Sequence, residues 1–563
     1  MNDLGEVKAI LSRIYGKEKG GRAFGRILPL IQNFPAQKST KDDFFSQEDV
    51  VLITYGDTLL GKGKDAPLKT FHAFSQRYLE GAVSTVHFLP FFPFSSDDGF
   101  SVMDFFSINP ELGSWDDVGA IGGNFRLMFD YVLNHLSSKS RWFENYLEGK
   151  KGYADVAIEV DPSADLTMVT RPRALPLLTP YEKKNGDTVC VWTTFSADQI
   201  DLNFKSLNVL EKMISVLLYY VEQGATVLRM DAIAYLWKEI GTTCIHLPQT
   251  HDMVKLFRKI FDIVAPEVMI VTETNVPHDE NISYFGNGRD EAQMVYNFTL
   301  PPLLFYTFAK QNATVLSGWA KGLQLESENT TFFNFTASHD GIGVRPLEGV
   351  LPASEIDWLA KIVQANGGQV SYKRNPDGTD SPYELNITYI DAILADSRSE
   401  QAEKFLASQA IQYSLPGVPA TYIHSLIGSR NWLEGVKQTQ RARTINREKL
   451  ILDTVASELK NPLSFRAKVF FPYLNLIKTR KKQTAFHPNA GFEILDIDPK
   501  IFAIKRSSEA QTIFSLTNVS SQPAHLSLSN HIPQGQLRDL LTGEEFKTET
   551  IELEPYRYIW LSK

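Results

Sequence analysis

Short apolar runs that end in a polar or charged group recur along the chain. VLITYGD begins at Val51, and similar runs follow at VHFLP (86–90), RLMFDYVLNH (126–135), TVLRMDA (226–232), VMIVTE (268–273), FFNFTASHD (332–340) and PATYIHS (419–425), with MVYNFTL (294–300) as a less obvious member. The intervals between them include LNVLEKMISVLLYYVEQG (207–224) and HDMVKLFRKIFDIVA (251–265), where apolar residues recur at three and four positions, the period of an amphipathic helix. Near-continuous apolar strands joined by helical crossovers require a parallel sheet covered on both faces, and the number of units favours closure over an open sheet. The pattern therefore predicts an α/β fold, a (β/α)8 TIM barrel.

The rhythm breaks in four places. Residues 1–48 form an N-terminal extension with a predicted helix near 4–15 and Pro-containing turns after it. The barrel's first part occupies 49–143. TRPRALPLLTP breaks the pattern within 144–200, which reads as an inserted, loop-rich subdomain leaving the barrel's active face. The second part of the barrel, 201–482, contains a long interval at 341–418 in which NGGQVSYKRNPDGTDSPYELN predicts a structured loop. From 483 to 563, the segments FEILDI, IFAIKRS, TIFSLTNV, AHLSLSN and YRYIWLSK predict a C-terminal antiparallel β domain.

Composition narrows the class. With 43% hydrophobic and 22% charged residues, a 563-residue chain buries a large core in two or more domains. A formal charge of -9 argues against nucleic acid as a partner, and the basic run KTRKKQ (478–483), which lacks a phosphate-loop pattern, reads as solvated surface. The N-terminal stretch contains charges within its apolar parts and no stretch of spanning character follows, so no membrane association and a cytoplasmic location are expected. The two cysteines, Cys190 and Cys244, suit free thiols rather than a disulfide framework or zinc site.

The charges at the ends of apolar runs carry the chemistry. A barrel gathers its strand C-termini around one cleft, bringing Asp57, Asp130, His135, Arg229, Asp231, Glu273, His339 and Asp340 towards a common mouth despite their separation in sequence. Arg229 and Asp231, at i and i+2, point the same way and serve either as a structural ion pair or as an oriented nucleophile. Retaining glycosyl transfer needs one carboxylate to attack the anomeric carbon and another to protonate the leaving oxygen, with the two about 5–5.5 Å apart. A guanidinium beside the first keeps it ionised, and a less solvated, carboxylate-rich position keeps the second protonated.

FDYVLNH (129–135), LRMDA (228–232), VTETN (271–275) and ASHDG (337–341) together resemble glycoside hydrolase family 13, the α-amylase superfamily. The resemblance implies Asp231 as nucleophile, Glu273 as general acid/base and Asp340 as the third, charge-stabilising carboxylate. It also implies sugar contacts from His135 and His339, with Asn134 behind them. No metal or cofactor is implied.

A narrower resemblance, to the sucrose-phosphorylase branch, rests on VLITYGD (51–57), VHFLPFFPFSSDDGFSVMD (86–104), ELGSWDDV (111–118), RPRALP (171–176), NFTASHDGIGVRPLEG (334–349), LPGVPATYI (415–423) and RTINR (443–447). It implies that Asp57 and Arg443 hold the donor glucose, that Arg173 contacts phosphate or an anionic acceptor, and that inorganic phosphate is a substrate. Phe105 and Asn275 stand where sucrose phosphorylases have sugar-contacting histidines. NPDGTDSPYELNITY (375–389), RPRALPLLTP, WKEIGTTCIHL, TETNVPHDENISYFG and GSRNWLEGV instead resemble glucosylglycerate phosphorylases, which implies reversible phosphorolysis of 2-O-α-glucosyl-D-glycerate. Lys373 and Arg374 are further candidates for the acceptor's charge, Trp192 and Phe195 for an apolar wall, and Tyr383 and Glu384 for shaping the acceptor loop. Glycerol, fructose and fructose 6-phosphate remain alternative acceptors, and the same three carboxylates also suit an α-glucoside hydrolase.

Overall fold

Eight parallel strands close into a barrel: β1 (Val51–Thr54), β2 (Thr85–Phe88), β3 (Arg126–Tyr131), β4 (Ala225–Met230), β5 (Met269–Thr272), β6 (Met294–Tyr296), β7 (Thr331–Asn334) and β8 (Val418–Tyr422). The computed structural model describes residues 3–37, 43–63, 65–173, 175–375, 378–532 and 535–563. Closure is made at β1, where Val51 pairs with Thr85 of β2 and with Ala420 of β8. β1, β2, β5, β6, β7 and β8 are buried at every position, which is why their sequences read as unbroken apolar runs.

The N-terminal extension is more helical than its sequence suggests. The expected helix, α1 (Asp3–Tyr15), is followed after Gly16 by α2 (Lys17–Asn33), where Pro-containing turns were expected; Pro29 lies on its exposed side. Gly20 lets the two helices touch, since a Cβ there would lie 2.6 Å from the Leu11 carbonyl oxygen. The buried stripe Ala23, Ile27 and Ile31 repeats every four residues. Ion pairs Arg13–Asp252 (2.6 Å) and Arg26–Glu211 (2.9 Å) fasten the pair to the barrel helices α3 (Leu207–Glu222) and α4 (Pro248–Val264).

Both excursions on the active face contain antiparallel pairs. Within 144–200, Leu178–Glu182 pairs with Thr188–Trp192, and Gln199–Asp201 returns to pair with His135–Ser137. The expected boundary at 143/144 falls inside a helix, Arg141–Leu147. The stretch read as a structured loop is a hairpin, Gln369–Arg374 with Asp380–Asn386, extended to three strands by Ile342–Gly343. Pro376 and Asp377 of that hairpin, and Ala174 of RPRALP, lie outside the described residues.

The C-terminal antiparallel sheet runs in the order Gly491–Leu495, Ile501–Ser507, Thr512–Asn518, Tyr558–Ser562, Gln536–Asp539, Glu545–Lys547, beside a two-stranded pair, Ala524–Leu526 with Ile551–Leu553. Alternation along Ile501–Ser507 divides its faces: Ile501 and Ala503 join the domain's own core, whereas Phe502 and Ile504 join that of the barrel. Among the described residues no helix is long and apolar enough to cross a membrane.

Candidate active site

Arg229, 2% exposed near the end of β4, is held between carboxylates from three consecutive strands. Its Nη1 donates to Asp130 of β3 and, at 2.8 Å, to Asp231 just beyond β4, while Nη2 lies 3.9 Å from Glu273 just beyond β5. His87 of β2 reaches the other oxygen of Asp130 at 2.8 Å. The guanidinium also sits against the rings of Phe100 and Tyr296. The chain then turns sharply: Ala232 adopts φ +50°, and its N–H donates to Glu273 Oε2 at 3.0 Å. Asp231 and Glu273 thus face one small volume.

Asp340, six residues after β7 ends, completes the set from the opposite side. Arg443 Nη1 lies 2.5 Å from its Oδ1, His339 Nε2 3.4 Å and Arg447 Nη2 3.7 Å. Asp231, Glu273, His339, Asp340 and Arg443 line an inner chamber of about 90 Å³ at the mouth of the barrel. It opens into an outer cleft of about 560 Å³, and Asp97, Arg173, Gln199, Tyr383, Glu384 and Arg443 line both.

The surroundings push the three carboxylates in different directions, Glu273 and Asp231 upward and Asp340 downward. Burial pushes Glu273 up to about 7, with Arg229 pulling down and the negative charges of Asp231 and Asp340 adding to the rise. Burial also raises Asp231, opposed by Arg229 and then His135. For Asp340 burial is outweighed by Arg443, His339 and Arg447, which hold it below the ordinary carboxylate range. Burial lowers His339 to about 3 and lowers His135, so both are neutral imidazoles at pH 7.

The structure brings His135, Arg173, Arg229, Asp231, Glu273, His339, Asp340 and Arg443 to the chamber. His135 Nε2 donates to the Phe100 carbonyl at 3.0 Å and lies 3.1 Å from Gln199 Nε2, and His339 stacks on Phe100. Asn134 stands behind, accepting from Lys238 at 2.7 Å. Asp57 is not brought in: it is absent from the chamber lining, and its partly exposed carboxylate pairs with Lys449. Lys373 pairs with Glu348 at 2.6 Å and Arg374 with Asp380 at 2.9 Å, both away from the chamber and cleft linings. Trp192 is buried in a satellite core, and Phe105 packs on Trp142, whereas Phe195 and Asn275 line the chamber.

Asp97 was not legible as a site residue. Asp97 and Asp98 both have positive φ, +54° and +48°, ahead of Gly99 at +112°, and this left-handed turn in SSDDGF aims Asp97 into the chamber and Asp98 onto Arg447. Burial would raise Asp97, but Arg173, Arg443 and Arg447 outweigh it and keep the carboxyl below its ordinary value. Two adjacent acids before a glycine were the available signal. Phe298 and Gln199 also line the chamber without any prior mark. Among the described residues no group of three or more His, Cys, Asp or Glu side chains is arranged to hold a metal ion.

Residues 77–342 match the family described as alpha amylase, catalytic domain, and 492–560 match maltogenic amylase, C-terminal domain. The chain is 46% identical to the glucosylglycerate phosphorylase of Spirochaeta thermophila, covering 100% of this chain and 99% of the relative. It is likewise 46% identical to that of Escherichia coli over 92% of each. The chain belongs to glycoside hydrolase family 13, in its sucrose-phosphorylase branch. As a family 13 member of this branch it is a glycosyl-transfer enzyme. The solved sucrose 6F-phosphate phosphorylase of Thermoanaerobacter thermosaccharolyticum superposes with a TM-score of 0.75 at 26% identity, covering 89% of this chain and 98% of that one. The family 13 fold extends to the H. orenii α-amylase, with a TM-score of 0.67 at 17% identity over 92% of this chain and 100% of that one.

Proposed function

We propose that the protein catalyses reversible phosphorolysis of 2-O-α-D-glucosyl-D-glycerate, yielding α-D-glucose 1-phosphate and D-glycerate through a covalent glucosyl-enzyme intermediate. The observation that carries this reading is the end-to-end similarity to proteins named glucosylglycerate phosphorylase. Arg173 supports it: the arginine lines both chamber and cleft, and its carboxylate partner, Asp97, is 3.7 Å away, so it has binding capacity for the anionic group that glycerate and phosphate both bring.

On this reading Asp231, oriented by Arg229, attacks C1 while Glu273, its pKa raised to about 7 so that the acid form persists near neutral pH, gives its proton to the departing glycerate oxygen. The C1–O bond breaks as the C1–Asp231 ester forms, and ionised Asp340 stabilises the positive charge developing on the sugar. Phosphate then takes the acceptor's place. Glu273, now a carboxylate, accepts the phosphate proton, phosphate oxygen attacks C1, and the ester to Asp231 breaks; two inversions restore the α configuration. Asp97, His135, His339 and Arg443 hold the glucose, Asp97 occupying the place expected of Asp57. Phosphate acts as substrate, not as a resident group. We also infer a cytoplasmic location, which suits the free thiols of Cys190 and Cys244.

Reverse synthesis from α-glucose 1-phosphate tests the acceptor. Phosphate release with D-glycerate should exceed that with glycerol or fructose by about 100-fold, because a site built for a carboxylate leaves its cation unpaired with a neutral acceptor, and should also exceed that with the larger anion fructose 6-phosphate. Preference for another acceptor overturns the assignment, and glucose release from the glucoside at an equal rate without phosphate indicates a hydrolase. Asp231→Ala should leave no glucosyl ester detectable by mass spectrometry; normal turnover by this variant contradicts the mechanism.

A further inference from the structure

Glu384 occupies the cleft where the acceptor is proposed to bind, yet its carboxylate is directed at the donor side. It belongs to the middle strand of the three-stranded sheet, opposite Gly343 and Ser371, and is 4% exposed. Both of its oxygens are taken by one partner: Arg443 donates from Nε to Oε1 at 2.9 Å and from Nη2 to Oε2 at 2.5 Å. The remaining nitrogen of that guanidinium, Nη1, is the one 2.5 Å from Asp340. A planar fork gripped on two of its three nitrogens has little freedom, so the third is fixed in direction.

The backbone makes room for this arrangement. Gly341 directly follows Asp340, and a Cβ there would lie 2.6 Å from Glu384 Cγ, 2.8 Å from the Leu385 carbonyl oxygen and 2.9 Å from Glu384 Oε1, so it would press on both the side chain and the strand that carries it. Any larger residue at 341 displaces the Glu384 side chain from its path to Arg443. A carboxylate lining a cleft that takes two anions is unfavourable for binding either unless its charge is already matched, and the bidentate pairing supplies that match. Arg443, in turn, is committed to Glu384 and Asp340, so the incoming anion falls to other cleft-lining cations, of which Arg173 also reaches the chamber.

We propose that Glu384 is a positioning residue: through Arg443 it orients Asp340, which makes the acceptor hairpin part of the glucose-binding machinery. This rests on the proposed glucosyl-transfer role of Asp340, but not on which acceptor the enzyme uses. If Glu384 acts through Arg443, it governs formation of the glucosyl-enzyme even for a donor that makes no contact in the acceptor cleft. If it is an acceptor ligand, it governs acceptor and phosphate binding alone.

α-Glucosyl fluoride separates these cases. Asp231 forms its ester to C1 as the C1–F bond breaks and fluoride leaves with the bonding pair, so fluoride release reads glucosylation without glycerate. Glu384→Gln should lower kcat/KM for fluoride release about 30-fold, as expected when a charged, bidentate hydrogen-bond partner is lost, while changing the KM values for phosphate and glycerate less than about threefold. Gly341→Ala should reproduce the effect. Wild-type fluoride release by E384Q, or a raised phosphate or glycerate KM with fluoride release intact, overturns the proposal. Should E384Q fail to fold, G341A decides: wild-type fluoride release from a variant with that side chain displaced also overturns it. Failure with glycerate as acceptor, but with the fluoride result as stated, would instead contradict only the acceptor assignment.

Discussion

Arg229 accounts for why two charges interrupt an apolar strand: one guanidinium serves Asp130, Asp231 and Glu273, and no member of the group is left buried without a partner. The same burial divides the labour of the carboxylates. Glu273, raised to about 7 against an ordinary 4.5, is still protonated in about half of the molecules at pH 7, which supplies the acid step. kcat/KM for the glucosylglycerate should therefore fall tenfold per pH unit above about 7, whereas α-glucosyl fluoride, whose leaving group needs no proton, should lack that limb. A basic limb shared by both donors contradicts the role. Stability follows the same linkage. From the ordinary carboxylate range upward, the unfolded chain ionises Glu273 before the folded protein does, so the group destabilises the fold increasingly until pH passes about 7. Glu273→Gln should accordingly raise the melting temperature at pH 8 by several degrees and change it little at pH 4; equal shifts at both would contradict the assigned charge state. Asp231, Glu273 and Asp340 were legible because each follows an apolar run. Asp97 was not, because its direction depends on two successive left-handed residues, which sequence pattern does not report.

At the level of elements, all eight barrel strands were readable because both of their faces are buried, whereas the acceptor hairpin read as a loop. Its strand Gln369–Arg374 has no fully buried residue, and its partner, DSPYELN, shows neither an apolar run nor a clean period of two, so nothing marks it as a strand. The hairpin's placement depends on small residues in the neighbouring segment, and Gly343 supplies a separate test from Gly341. A Cβ at 343 would lie 2.6 and 2.9 Å from the two terminal atoms of the Asn275 amide, a chamber-lining group two residues beyond Glu273. Gly343→Ala should turn the amide away from its present position and raise the acceptor KM roughly fivefold, with α-glucosyl fluoride turnover unchanged. Loss of fluoride release to the same degree would show that the substitution disturbs Glu273 rather than the acceptor side.

The whole molecule is joined at a seam that its sequence disguises. KTRKKQ reads as solvated surface, yet its Arg480 is fully buried; in IFAIKRS, alternation sends Lys505 and Arg506 to opposite faces, so that Lys505 pairs with Glu493 near the surface and Arg506 is fully buried against the barrel. Arg506 donates to the carbonyls of Ser414 at 2.8 Å and His487 at 2.7 Å, and Arg480 beside it donates to Tyr413, Gly417 and Phe486. These carbonyls belong to the chain entering β8 and to the segment leading into the C-terminal sheet, so two arginines donate to backbone groups from both sides of the interface, of which His487 also accepts from the Ala490 N–H. Arg506→Met keeps much of the apolar contact but leaves the Ser414 carbonyl without its donor, while the His487 carbonyl keeps the Ala490 N–H. The expected cost is about 1–3 kcal/mol, confined to the seam. Hydrogen exchange provides the measurement: amides of Ile501–Ser507, Thr512–Asn518 and Tyr558–Ser562 should exchange faster in R506M than in the wild type, with β1 to β6 retaining their protection. Equal loss across the barrel and the C-terminal sheet would mean that they unfold as a single unit, and no loss anywhere would mean that these hydrogen bonds do not hold the domains together.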